Sequence, residues 1–244
     1  MERRMKYLTY KDVEKMLMKS RTLVIPIGSL EAHGPHLPLG TDIIIPEELS
    51  KQIAEKIDAL IAPAVPYGVT KGLLGFSGTA TISETTLENM LYELLISFSR
   101  HGFELFVIMN GHGGNVLPIK NAAAKAWLIH GIKTIIVHWW IFVRKYTQEF
   151  FKEKAGHAAV DETAMIMAID DNLVKREKYT KNDVIVLKEG IETYPLTASI
   201  LLYNEESGYP IFDQEKAKEY WNGVVNLLVS EIEKLKQQLM KEKR

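Results

Sequence analysis

The sequence of 244 residues contains no cysteine, which excludes both a disulfide framework and thiolate ligands for a metal. Any metal site must therefore be built from histidine, aspartate and glutamate, a set of ligands that suits Zn, Mn or Fe(II). An excess of charge of one sign is also absent, because the formal net charge is -1. This balance provides no electrostatic basis for binding nucleic acid or an anionic membrane, so we expect neither as a partner.

Long apolar stretches are lacking as well. The longest, 135–143, is far shorter than the roughly 20 residues needed to cross a bilayer, and His138 interrupts it. The first residues, MERRMKYLTYKDVEKM, do not contain the apolar core of a signal peptide, so we expect a cytoplasmic location. The many Lys and Glu residues, together with the missing Cys, are typical of proteins from thermophiles.

What the chain does contain is an alternation of short apolar runs with segments of helical periodicity. No linker, repeat or low-complexity segment divides it, so we expect one domain over residues 1–244. The predicted strands are 21–28, 61–65, 105–109 and 134–140. The predicted helices are 46–60, 83–102, 116–130, 160–169 and an amphipathic C-terminal helix at about 213–240. This order predicts an α/β fold with a mostly parallel central sheet, in which ligands bind beyond the carboxyl ends of the strands.

Three polar segments stand out, two of them directly after predicted strands: GSLEAHGPHLPLGTD at 28–42, NGHGGN at 110–115 and HAAVDE at 157–162. In the first, two carboxylates and two imidazoles alternate with leucines. Burying a lone carboxylate is costly, so this pattern indicates polar groups gathered around a cation. Carboxylates and histidines that converge in this number match a dinuclear hydrolytic site, in which two cations lower the pKa of a shared water from about 15.7 toward about 7. Hydrolysis of an amide-like C–N bond is the natural use, with a histidine as proton donor.

Simpler interpretations stay open at this point. The segment 28–42 could be a surface loop rich in proline and glycine, and NGHGGN could be a tight turn between a strand and a helix. Asp161 and Glu162 would also suit the first turn of a helix, and His36 could orient a ligand instead of binding the metal. The three remaining histidines are interpreted as structural: His101, His130 and His138.

At these residues the sequence resembles the creatininase (creatinine amidohydrolase) family. The blocks that carry the resemblance are IPIGSLEAHGPHLPLGTD at 25–42, FSGT at 76–79, NGHGGN at 110–115 and GHAAVDET at 156–163. The resemblance implies a three-layer α/β/α sandwich, two divalent metal ions per subunit and a homo-oligomer, often a hexamer. A small molecule is the implied substrate.

The resemblance also implies roles for individual residues. Glu31, Asp42 and His112 match the ligands of one metal, and His33 and Asp42 match those of the second, with Asp42 bridging. His157 matches a histidine that shuttles protons. The substrate side is assigned to four residues: Ser77, Gly78, Thr79 and Gly113.

Several positions depart from the pattern of creatininases proper. Gly114 stands where a glutamate completes the second metal site, so another oxygen ligand is needed, and Glu162 is our candidate as ligand and catalytic residue. Glu153 and Lys154 replace a tryptophan and an aspartate that hold creatinine, and Leu73 replaces a histidine. These changes argue against creatinine itself as the substrate while leaving the metal chemistry intact.

The leading hypothesis is therefore a metal-dependent amidohydrolase acting on a small cyclic amide or formamide. Alternatives are a deformylase of a formylaminopyrimidine ribonucleotide from flavin and deazaflavin biosynthesis, a mycofactocin-type peptidase, and a non-catalytic metal-binding oligomeric scaffold. A nucleotide would need a phosphate pocket, for which the candidate residues are Lys71, Gly72, Arg144 and Lys154.

Overall fold

Four parallel strands form the central sheet of the computed structural model, which describes residues 1–188 and 190–241. Their order across the sheet is β2-β1-β3-β4. The strands are β1 (Thr22–Ile27), β2 (Leu60–Ile61), β3 (Leu105–Asn110) and β4 (Lys133–His138). Two short strands, β5 (Val184–Val186) and β6 (Ile200–Leu202), pair in parallel apart from this sheet.

Helices follow or connect the strands. They are α1 (Tyr10–Leu17), α2 (Thr41–Lys56), α3 (Glu84–Arg100), α4 (Val116–His130), α5 (Trp139–Phe142), α6 (Arg144–Phe151), α7 (Val160–Ile169) and α8 (Gln214–Lys241). Single 3-10 turns cover Met5–Tyr7, Gly113–Asn115, Asp171–Leu173, Arg176–Lys178 and Lys181–Asp183. Within the described residues, no helix is long and apolar enough to cross a membrane.

The two faces of the sheet are both covered. Side chains alternate along β1, so Val24 packs into a core with α2, α7 and α8, while Leu23 and Ile25 face the opposite side. There, Leu95 of α3 and Ala126 of α4 complete a second core. The predicted three-layer α/β/α arrangement with a mostly parallel sheet is therefore confirmed.

Several element boundaries differ from the prediction. Helix α2 begins at Thr41, five residues before Pro46. The proline, which was predicted to be the first residue of the helix, lies inside it. Strand β2 ends at Ile61, and only Val65 of the predicted remainder forms a bridge, to Ile27. The apolar run after His138 turns into α5 instead of extending β4. Five helices and strands were not predicted: α1, α5, α6, β5 and β6.

The register of the sheet places the polar segments at one edge. Ile27, the last residue of β1, lies beside Asn110 of β3, and Asn110 lies beside His138 of β4. The chain therefore leaves β1 and β3 at the same edge, and the segments 28–42 and 110–115 meet there.

Candidate metal centre

The polar segments converge on one buried cluster beyond the carboxyl ends of β1 and β3. Three groups of side chains have ligand atoms within 4.8 Å of one another: Glu31 with Asp42 and His112, His33 with Asp42 and Glu162, and Glu31 with His33 and His157. Asp42 belongs to the first two groups. These two groups are the ligand sets that the sequence assigns to two metals, with Glu162 at the place of the missing glutamate.

Short distances connect carboxylate oxygens to imidazole nitrogens across the cluster. Asp42 lies between two histidines, with Oδ1 at 3.0 Å from His33 Nε2 and Oδ2 at 2.8 Å from His112 Nδ1. Glu31 Oε1 is 3.3 Å from His112 Nδ1 and 3.6 Å from His157 Nδ1. Glu162 Oε2 is 3.6 Å from His33 Nε2. Four carboxylate oxygens and three imidazole nitrogens therefore lie close together in this cluster.

The outer nitrogens of the three histidines bind backbone carbonyl groups. His33 Nδ1 lies 3.1 Å from Glu31 O, His112 Nε2 lies 2.8 Å from Val69 O, and His157 Nε2 lies 2.8 Å from Ala32 O. A carbonyl only accepts hydrogen bonds, so each outer nitrogen carries the hydrogen. In the neutral ring the inner nitrogen then presents a lone pair to the carboxylates, which is the tautomer that a metal ligand requires.

The electrostatics of the cluster favour a bound cation. Burial disfavours charge on His33, but the carboxylates of Asp42 and Glu162 outweigh this effect and raise its pKa to about 10. Burial likewise opposes charge on His112, yet Glu31 and Asp42 raise its pKa well above the ordinary value. Burial raises the pKa of Glu162 to about 8. Protonation of these groups offsets the negative charge of the clustered carboxylates. A bound divalent cation would offset the same charge in place of the protons.

Unsatisfied oxygens test whether the residues fit a metal. Glu31 Oε2 and Asp42 Oδ2 are buried and accept no hydrogen bond, although Asp42 Oδ2 lies 2.8 Å from His112 Nδ1. Within the described residues, the only ion-pair partners of Glu31, Asp42 and Glu162 are histidines, since no lysine or arginine pairs with them. Buried carboxylates without compensation are costly, so this donor set fits Zn, Mn or Fe(II).

Close backbone contacts fix the position of Asp42 in the first turn of α2. A Cβ atom on Gly28 would lie 2.2 Å from the carbonyl oxygen of Asp42, and one on Gly111 would lie 2.1 Å from it. The loops after β1 and β3 can therefore reach α2 only because both residues are glycine. Pro46 has no N–H to donate to that same carbonyl, which leaves room for their approach.

The turn before α7 carries His157 and is held by two acidic side chains. The N–H of Gly156 donates to Asp161 Oδ1 at 3.3 Å, and the N–H of Ala158 donates to Glu162 Oε2 at 2.6 Å. Ala158 has a φ of 53°, a left-handed conformation that is uncommon for alanine. Burial, together with the neighbouring His33, lowers the pKa of His157 to about 4, so its ring is neutral near pH 7.

A cavity of about 760 Å³ opens above the cluster. Its floor includes Glu31, Asp42, His112, His157 and Glu162. Apolar and aromatic side chains form much of the wall: Leu73, Trp140, Leu187, Ile191, Tyr194, Leu196, Leu201 and Tyr203. The volume suits a ligand the size of a metabolite or a nucleotide.

Some predicted site residues lie elsewhere. Gly113 lines the cavity, but Ser77, Gly78 and Thr79 do not. Thr79 instead binds the back of the first polar segment, where its Oγ1 accepts the N–H of Ala32 at 3.1 Å. Contact of residues 77–79 with a substrate therefore stays a prediction.

The remaining histidines do not join the ligand groups. His36 Nε2 lies 3.1 Å from Thr163 Oγ1 on α7, which is not a candidate ligand, so an orienting role for His36 stays a prediction. His130 Nε2 lies 3.0 Å from the hydroxyl of Tyr92, and His101 caps the end of α3. His138 Nδ1 accepts a hydrogen bond of 3.0 Å from Asn110 Nδ2.

Sequence reasoning missed the two asparagines of NGHGGN. Asn110 binds the backbone of His112 in both directions: its Oδ1 accepts the N–H at 3.1 Å and its Nδ2 donates to the carbonyl at 2.8 Å. Asn115 binds Gly28 and Val69. The motif itself was the available signal, but only its glycines and histidine were given roles.

A covered parallel sheet with a buried cluster of carboxylates and imidazoles at its carboxyl edge defines the class of protein: an α/β/α metal-dependent hydrolase. A family profile described as "Creatininase: Creatinine amidohydrolase" matches residues 6–230, and the chain belongs to the creatininase family. Enzymes of this family are metal-dependent.

Individual relatives differ in their named substrates. Creatinine amidohydrolase of Pseudomonas putida is 28% identical over 190 residues, which cover 70% of this chain and 73% of that protein. The mycofactocin precursor peptide peptidase of Mycolicibacterium smegmatis is 40% identical over 108 residues, 42% of this chain and 43% of the peptidase. A formylamino-ribosylaminopyrimidinone monophosphate deformylase of Methanothermus fervidus is 34% identical over 102 residues, 40% of this chain and 39% of that protein.

Solved creatininase structures share the fold. A mutant creatininase described as Zn-Zn type superposes with a TM-score of 0.83 at 23% identity, covering 96% of this chain and 98% of that one. At this identity the likeness shows the fold alone.

Proposed function

We propose that this creatininase-like hydrolase cleaves a C–N bond in a small cyclic amide or formamide. The observation that carries the proposal is Asp42, a buried carboxylate shared by two ligand groups on the floor of a cavity. Two cations that share one carboxylate form the arrangement used to hydrolyse unactivated bonds near neutral pH.

The first metal would be held by Glu31, Asp42 and His112, and the second by His33, Asp42 and Glu162. Zinc, manganese or iron(II) would suit these oxygen and nitrogen donors. When bound, the ions would acidify water and polarise the carbonyl group of a substrate. Asp161 does not face the ion sites, because its Oδ1 holds the turn at Gly156.

His157 is the proposed proton carrier. Its Nε2 donates to Ala32 O, so Nδ1 is the atom free to act, and it points toward Glu31 on the cavity floor. A neutral ring accepts the proton released from water on Nδ1 and transfers it to the leaving nitrogen. Gly113 would leave space for the substrate beside this ring, since it lines the cavity without a side chain.

A second candidate is the deformylase of a formylaminopyrimidine nucleotide. The observation in its favour is a set of cations around the cavity: Lys71, Arg144 and Lys154. Lys71 binds Glu84 at 2.6 Å, whereas Arg144 and Lys154 form no ion pair with any described residue. Both are exposed and available to a phosphate.

One panel of assays tests these candidates. Purified protein is loaded with zinc or manganese, then offered creatinine, a formylaminopyrimidine ribonucleotide and a mycofactocin-type peptide. We expect one to two equivalents of bound metal and turnover of one amide or formamide that stops on chelation and returns on reloading. An active protein free of metal would contradict the proposal, and cleavage of the peptide alone would favour the peptidase.

His157→Ala separates an enzyme from a scaffold in the same assays. We expect the variant to keep its metal and to lose turnover by about 10²–10⁴-fold, the usual contribution of a positioned acid or base. Unchanged turnover would exclude His157 as the proton carrier. The homo-oligomer and the cytoplasmic location stay predictions.

A further inference from the structure

The side chain of Asn115 joins two separate pieces of backbone next to the proposed metal centre. It is fully buried at the start of α4. Its Oδ1 accepts the N–H of Val69 at 3.0 Å, and its Nδ2 donates to Gly28 O at 2.9 Å. A weaker contact of 3.5 Å links Nδ2 to Asn110 Oδ1. The N–H and the C=O on opposite sides permit only one orientation of the amide.

Val69 connects this amide to a proposed metal ligand. Its N–H binds Asn115, and its carbonyl oxygen lies 2.8 Å from His112 Nε2. The carbonyl keeps the hydrogen of His112 on Nε2, so that Nδ1 faces Asp42 Oδ2 at 2.8 Å. The N–H and the carbonyl belong to the two successive peptide groups on either side of the Val69 Cα, so Asn115 supports the same residue whose carbonyl holds the His112 ring.

Two glycines make room for this connection. A Cβ atom on Gly114 would lie 1.8 Å from Val69 O, and one on Gly68 would lie 2.5 Å from Asn115 Oδ1. Glycine therefore stands at both places where the backbone comes close to the Asn115 amide or to the Val69 carbonyl. A residue that only filled space would not need such clearance on both sides.

We infer that Asn115 is a positioning residue for the metal centre, which supports His112 through the backbone of Val69. The inference rests on the proposed function, in which His112 is a metal ligand. Loss of an outer partner of a metal-binding histidine typically costs 10–100-fold in metal affinity. Asn115 touches neither the ion nor the substrate in this scheme.

The test compares Asn115→Ala with a control on the same helix, Asn121→Ala, which removes an exposed amide that binds Glu88. Zinc affinity is measured by competition with a chromophoric chelator, and the tautomer of each histidine by ¹⁵N NMR of the imidazoles. For Asn115→Ala we expect one zinc site to weaken 10–100-fold and His112 to populate both tautomers. The signals of His33 should not change, and Asn121→Ala should behave as wild type.

Asn115→Asp keeps the test decisive if the alanine variant does not fold. The aspartate still accepts the N–H of Val69 but cannot donate to Gly28, so we expect zinc affinity between those of wild type and alanine. A folded Asn115→Ala variant with the zinc affinity and the His112 tautomer of the wild type would overturn the inference. If that variant does not fold, the same result for Asn115→Asp would overturn it. A wild-type protein that binds no zinc would instead overturn the proposed function, while the signal of the His112 Nε2–H group that binds Val69 O would still report on Asn115.

Discussion

At the scale of single residues, Glu162 connects the turn that carries His157 to the ion sites. Its Oε2 accepts the N–H of Ala158 at 2.6 Å and lies 3.6 Å from His33 Nε2. Gly114 cannot take over this role, because a side chain there would collide with the carbonyl of Val69. The carboxylate needed for a second ion must therefore come from another segment, and the first turn of α7 supplies one.

Replacing Glu162 with glutamine should empty one ion site selectively. The amide keeps the size of the side chain but removes the negative charge, so we expect zinc content to fall toward one equivalent per chain, with a large loss of turnover. Metal analysis after dialysis measures this, with the exposed Glu149→Gln as the control. Full occupancy of both sites in Glu162→Gln would show that the second ion uses another ligand.

The clustering of the candidate ligands was predictable from the sequence, whereas the contacts that support these residues were not. Carboxylates and imidazoles are common metal ligands. Two predicted strands placed the side chains of Glu31, His33, Asp42 and His112 at one edge of the sheet. Asn115, by contrast, binds the backbone N–H of Val69, 46 residues away along the chain. Such a contact depends on how loops pack, so the NGHGGN motif marks the asparagine but not its partners.

At the scale of elements, the start of α2 is set by contacts that a local pattern does not contain. Proline is favoured in the first turn of a helix, and this rule predicted a start at Pro46. In the structure the helix begins at Thr41. The hydrogen bond that Pro46 cannot donate would have used the carbonyl of Asp42, which Gly28 and Gly111 already approach. The proline is tolerated because that carbonyl contacts other backbone.

Two glycines of NGHGGN should respond differently to alanine. A Cβ atom on Gly111 would lie 2.1 Å from Asp42 O, while one on Gly113 would have nothing within 4 Å. We expect Gly111→Ala to lower the free energy of unfolding by about 1–3 kcal/mol or more, and Gly113→Ala to change it by less than about 1 kcal/mol. Urea titration measures both. Equal effects would mean that the approach of Gly111 to α2 is not needed.

At the scale of the whole molecule, the fold followed from the alternation of strands and helices, and the parallel sheet brought distant loops together. Short segments were harder to predict: β5 and β6 have three residues each, and α6 has eight and is polar. Their positions depend on packing against the rest of the chain. The part of the cavity they help to build was therefore not predicted.

Metal removal should lower the stability of the folded chain. The ion sites collect carboxylates from α2, α7 and the loop after β1, so a bound ion stabilises only the native state. At a free zinc concentration of 100 times the Kd, this linkage amounts to about 2.7 kcal/mol. For a chain of this length that corresponds to a rise in Tm of about 5–10 °C.

Scanning calorimetry with and without a chelator measures this difference. Asp42→Asn is the matched variant, and we expect its Tm to be insensitive to zinc. A wild-type Tm that is the same with zinc and with chelator would contradict the linkage.

The floor and the wall of the cavity come from different parts of the chain. The floor is made by the segments 28–42, 110–115 and 157–162, whereas residues 190–196 contribute only to the wall. Insertions, deletions or exchanges in that later segment could reshape what enters the cavity without moving a single ligand. A cavity with this floor could in this way be adapted to a lactam, a peptide or a formamide, the range of substrates that the names of its relatives cover.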